Sequence, residues 1–228
     1  MNGRTSIHRV ILILFIIIAN GFAAHLQAQS EADRTEYPSQ QPATSLFVMP
    51  TAYPMQSGEV HLGLYEIFFA SGSVGIANMV DVSAGTMLLP GQELRPYYAG
   101  IKVSALQSES GALAAGSVFT GDEDDDRLMF YAVGTLALFD GWLSAGYSSG
   151  SQYDGGLATM GVDYPISRSA RIMSEFWIST DSDEALLNLG ARFQLDFMSL
   201  DVGFVFPVSG DGGDYFEYLP WLGGTFIL

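Results

Sequence analysis

The chain has 228 residues, 25 acidic against 9 basic side chains, a formal net charge of −16 and no cysteine. That acidity repels nucleic acid and excludes it as a partner. The missing cysteines exclude both a disulfide-stapled export fold and a His/Cys metal site. Hydrophobic residues make up 48% and the mean hydropathy is +0.23, so the apolar content needs either a large soluble core or a lipid-facing surface.

The first element is a targeting segment. Arg4 and Arg9 precede the apolar run Val10–Ala19, and small and polar residues follow as far as Ala28. A basic start, a short greasy middle and a small-residue exit define a secretory signal peptide over 1–28. The run falls short of the ~20 residues that span a bilayer. Export is therefore expected, and seven basic residues remain against 25 acidic ones once the leader goes. Residues 29–43, QSEADRTEYPSQQPA, read as a disordered polar leader. The remaining domain is expected over 44–228.

From Ser45 onward short segments alternate apolar with small or polar residues, the period-2 mark of strands with two unlike faces. SLFVM (45–49) is a candidate first strand. An alternative divides the stretch Glu59–Ala77 at Ala70-Ser71-Gly72. Val82, Ala84, Thr86 and Leu88 oppose Asp81, Ser83 and Gly85; Tyr97, Ala99, Ile101 and Val103 oppose Tyr98, Gly100, Lys102 and Ser104. Ile172, Phe176 and Ile178 oppose Arg171, Glu175 and Trp177. Leu187 to Leu195 alternate with Asn188 to Asp196, and Leu200, Val202, Phe204 and Phe206 oppose Asp201, Gly203 and Val205. The polar stripe is glycine, serine and scattered charge. A water-facing sheet would carry dense Lys, Glu and Thr instead, so the stripe suits a crowded barrel interior.

The connections take turns between short and long. Short ones fall at Asn78-Met79, 108–110, Asp140-Gly141, 167–169 and 196–198. Longer ones fall at 91–96, 121–126, 150–155, 181–185 and 209–218. Such alternation belongs to an up-and-down barrel, with tight periplasmic turns and longer outer loops, and not to a Greek-key sandwich. The expected fold is all-β, an antiparallel up-and-down transmembrane β-barrel of about twelve strands, with ten as the alternative. Phe139, Trp142, Tyr164 and Phe197, beside the short turns, are expected in an interfacial aromatic belt.

Two stretches carry a family resemblance. PTAYPMQSGEV (50–60) followed by SVGIANMVDVSAGTMLLPG (73–91) resembles the opening of porin-like outer-membrane β-barrel proteins of Bacteroidetes-like bacteria, in which a P-[TS]-A…GE stretch precedes a YGI-T-[DN]…S-[LV]-G-G hairpin. Here Ser73-Val74-Gly75-Ile76-Ala77-Asn78 lacks the Tyr and the Thr. Gly223-Gly224-Thr225-Phe226-Ile227-Leu228 is similar to the assembly signal of outer-membrane barrels, with Leu228 where an aromatic usually stands. The resemblance implies location in an outer membrane, contact with its lipid and handling by the barrel-assembly machinery through the C-terminal strand. It covers about a quarter of the chain and carries architecture, not chemistry.

Candidate functional residues are few. Asp81, Lys102, Arg171, Glu175, Arg192 and Asp201, with Asp196, fall on the inward stripe. Both signs of charge suit either a plugged, salt-bridged lumen or a narrow channel for small solutes or cations. Asp122, Glu123, Asp124, Asp125 and Asp126 form an acidic outer loop that is usually plain solvated surface; they lack the spacing of a calcium loop. His61 is the only histidine beyond the leader, and a catalytic role would need a placed nucleophile. No cofactor, metal site or enzymatic activity is expected. Two other readings stay open: a soluble periplasmic or secreted all-β binding module, and a lipid-modifying barrel enzyme resting on His61.

Overall fold

The computed structural model describes residues 43–66, 68–88, 96–122, 126–150, 155–182, 184–209 and 218–228. The signal peptide and nearly all of the polar leader lie outside those residues. Twelve antiparallel strands form one closed barrel. They are β1 (Val60–Tyr65), β2 (Phe69–Ile76), β3 (Val80–Met87), β4 (Tyr97–Ser108), β5 (Gly111–Gly121) and β6 (Asp126–Leu138), then β7 (Gly141–Gly150), β8 (Gly156–Ser167), β9 (Ala170–Ser179), β10 (Glu184–Gln194), β11 (Met198–Ser209) and β12 (Leu219–Ile227). Each strand pairs with its neighbour in sequence, and β1 pairs with β12 to close the ring. Val60 and Leu228 exchange both backbone hydrogen bonds at that seam. Closure leaves no unpaired edge, which hydrocarbon would not tolerate.

The outward stripe resolves the composition. Leu62, Leu64, Ile101, Leu189, Val202, Phe204, Leu222 and Phe226 are all exposed on the barrel's outside. Apolar stripes from two sheets do not meet each other, so the sandwich alternative fails. A contiguous apolar band of this kind is disfavoured in water and suits lipid. At one end the strands are joined across 77–79, 109–110, 139–140, 168–169 and 195–197. Ala77 and Asn78 both take positive φ (54° each), as a tight primed hairpin turn requires. At the other end the sequence spans are longer, except Glu66–Phe68 between β1 and β2.

Two expectations near the N-terminus need correction. The long stretch does divide into two strands, but the division falls between Tyr65 and Phe69 and not at Ala70-Ser71-Gly72, which are inside β2. SLFVM is no wall strand. Residues 43–58 precede β1, and Leu46, Phe47, Met49, Ala52 and Met55 are buried inside the barrel. The twelfth strand comes from dividing 59–77, which frees the N-terminal segment to fill the lumen.

Candidate functional site

Alternation alone decides which charges enter the lumen, and register decides how they meet. Asp81 and Lys102 are direct partners across β3 and β4, with their charged atoms 2.8 Å apart. Arg192 and Asp201 are direct partners across β10 and β11, joined by two 2.7 Å hydrogen bonds from Nε and Nη2. Arg171 donates to Asp163 from the diagonal position on β9. Because Arg171 also stands directly opposite Arg192, four strands present a row in the order Asp163, Arg171, Arg192, Asp201. Two arginines side by side would repel. A carboxylate at each end of the row offsets that.

The lumen is filled by the chain's own segment Ala43–Met55. Within it Leu46 N donates to Met49 O and Thr51 N to Thr44 O, closing a compact bend at its tip. Its two legs enter from the end with the short turns: Ala43 N donates to Asp163, Met55 N to Asp81, and the Tyr53 hydroxyl to Ser108 O. Gly58, at φ +86°, turns the chain from this segment into β1, a conformation other residues adopt at a cost.

The contacts between wall and segment run mostly through the segment's main chain. Lys102 Nζ donates to the carbonyls of Thr44, Thr51 and Tyr53 at 3.3, 3.2 and 2.7 Å. The Arg192 guanidinium donates to Ser45 O and Leu46 O at 2.8 and 2.9 Å. Glu175 Oε1 accepts from Val48 N and Met49 N, both at 2.8 Å. Ala52 is held at both ends, its N–H donating to Thr135 Oγ1 and its carbonyl accepting from Ser104 Oγ. Buried backbone groups need partners, and so do buried charges. Segment and wall supply each other's.

The glycines of the inward stripe are places of close approach. A Cβ on Gly161 would lie 2.2 Å from Leu46 Cδ1, and one on Gly75 would lie 2.2 Å from Gln56 O. Gly85 and Gly116 instead lie beneath the rings of Tyr98 and Tyr131. Phe47 meets Trp221 edge-on, with ring centroids 6.3 Å apart.

Asp81, Lys102, Arg171, Glu175, Arg192 and Asp201 are all buried and the same network joins them. Asp196 is not among them: β10 ends at Gln194, and Asp196 is exposed in the following turn. Trp142 also departs from expectation. It is buried and packs edge-on against Tyr53 at 5.2 Å, facing the lumen and not the aromatic belt. Phe139 and Phe197 are exposed beside the short turns. Asp163 completes the row and is not among the inward charges expected from the sequence. The alternation of Met160, Val162 and Tyr164 with Gly161 and Asp163 holds that signal. Asp122 and Asp126 are exposed at the ends of β5 and β6, and Glu123, Asp124 and Asp125 lie outside the described residues. His61 faces the lumen, where its Nε2 meets Glu59 Oε1 at 2.5 Å. Ser73 stands across the ladder from it, yet among the described residues no hydrogen bond joins the two.

A closed antiparallel barrel with an apolar outside and a charged lumen defines a porin-like fold. Solved structures agree. The chain is similar to a structure titled "KdgM porin", with a TM-score of 0.57 at 10% identity, covering 74% of this chain and 96% of that one. A second, "KdgM porin in complex with disordered oligogalacturonate", gives a TM-score of 0.55 at 11% identity with the same coverage. At that identity the likeness is one of fold. No family model matches the chain, and neither does any curated protein.

Proposed function

We propose that this protein is a porin-like barrel of a bacterial outer membrane that passes small solutes when Ala43–Met55 leaves the lumen. The observation that carries this reading is the wall's polar network, whose Lys102, Arg192 and Glu175 bond a lumen segment that belongs to no wall strand. These three bond the segment through its main chain and not through an ion pair, so its withdrawal strands no side-chain charge of the segment's own. Export through the secretory pathway, lipid around the apolar band, assembly through β12 and kinship with barrels of Bacteroidetes-like bacteria belong to the same proposal. The signal-like N-terminus, the exposed aliphatics, the Gly223–Leu228 pattern and the motifs at 50–60 and 73–91 support them.

Planar-bilayer recording tests the channel. The full chain should stay mostly silent, and a Leu46→Ser/Met49→Ser double variant should show sustained conductance steps. An equally silent double variant that still migrates as a folded, heat-modifiable barrel would refute it. A lipid-modifying role has one supporting feature, His61 beside Glu59 and opposite Ser73. An unchanged lipid profile in His61→Ala cells would remove that reading.

A further inference from the structure

The lumen's charges are not all matched. Asp81, Asp163 and Asp201 each pair with a cation of the wall itself and not of the segment. Glu175 is different. It is fully buried, yet among the described residues no Lys or Arg forms an ion pair with it. Its four donors are neutral: Val48 N and Met49 N from the segment, Asn188 Nδ2 at 2.8 Å and Trp177 Nε1 at 3.2 Å from the wall. Adjacent backbone N–H groups aimed at one carboxylate oxygen solvate an anion well. Removing them strips half the shell.

Resting on the channel reading above, we infer that Glu175 is the charge-selecting residue of the opened lumen and that its ligand class is cations, inorganic or ammonium-bearing. When the segment withdraws, Lys102 and Arg192 lose carbonyl acceptors but remain neutralised by Asp81 and Asp201. Glu175 loses two N–H donors and has no counter-charge to fall back on. An uncompensated carboxylate in a narrow, partly desolvated passage attracts a cation and repels anions. The same residue thereby couples gating to occupancy. A cation at Glu175 binds only the open form, so it favours that form by mass action.

The test uses the full chain in planar bilayers under a potassium chloride gradient. The Leu46→Ser/Met49→Ser variant holds the path open without altering lumen charge. It should conduct with a reversal potential on the potassium side. Adding Glu175→Gln, which keeps the shape of the side chain, should lower the cation-to-anion permeability ratio by about fivefold, and Glu175→Ala serves if the glutamine variant fails to fold. Conduction with an unchanged ratio in a folded neutral variant would overturn this inference and leave the channel standing. No conduction from the opened variant would overturn both.

Discussion

Arg192 and Asp201 stand directly across the β10–β11 ladder and form a two-bond chelate inside the barrel. The same guanidinium also reaches the carbonyls of Ser45 and Leu46, so one side chain serves both wall and segment. Arg192→Met should therefore leave Asp201 buried without its counter-ion, costing about 3–5 kcal/mol of barrel stability. Urea unfolding in detergent measures this. Arg192→Met combined with Asp201→Leu should recover most of the loss in the wall, because no buried charge is stranded.

Lys102 makes a second prediction, about the hold of the wall on the segment. The chain has no cysteine, so Met49→Cys gives a single reporter at a buried site. In the otherwise native protein it should react slowly with a membrane-impermeant thiol reagent. Lys102→Met removes the ammonium that three segment carbonyls share with Asp81, and with Asp81→Asn added, so that no buried charge is stranded, labelling should then speed up at least tenfold. Equal rates in both backgrounds would show that these bonds do not hold the segment.

The outer stripe predicts a contrast between faces. Val202 is exposed among apolar neighbours, whereas its neighbour Asp201 is buried in the lumen. Val202→Arg should cost about 2–4 kcal/mol if the residue lies near the bilayer midplane. Refolding titrations in lipid vesicles read it. A cost near zero would place this stripe in water.

Beyond the strands, Asp181 links two connections. It accepts from the Ser179 hydroxyl and from Gly155 N, and these bonds hold its carboxyl below the usual aspartate range, the Ser179 bond most of all. A depressed folded pKa contributes order above the unfolded value and loses it as pH falls through the folded one. The Gly155 amide should thus stay protected at neutral pH and lose protection relative to Asp181→Asn only under strong acid. Hydrogen exchange of that amide, corrected for intrinsic rates, checks the prediction.

How much of this was readable beforehand depends on whether side chains or main chain carry the signal. Strands such as β10 have an apolar-in-lipid, polar-in-lumen alternation that any window reveals, and the charges from Asp81 to Asp201 follow from it. Asp196 lies two residues beyond the end of β10, and composition does not mark where that strand stops. The segment was hidden for a different reason. Leu46, Phe47 and Met49 look like strand residues, and its partners on Lys102, Arg192 and Glu175 are backbone atoms that every sequence shares. Trp142 beside a turn resembles a belt residue until Tyr53 is known to lie beneath it. The glycines at 161 and 75 mark the segment's path, which their small size alone does not reveal.

Placement of the N-terminal segment is the claim on which gating and selectivity both rest, and an engineered disulfide tests it most directly. Leu46→Cys removes the carbons that crowd Gly161, and Gly161→Cys supplies the Cβ that would meet them. In membranes under mild oxidant the pair should cross-link quantitatively, giving a folded barrel whose migration shifts on reduction and whose conductance is locked off. A folded barrel with both cysteines free under the same oxidant would place Leu46 away from β8 and contradict the account.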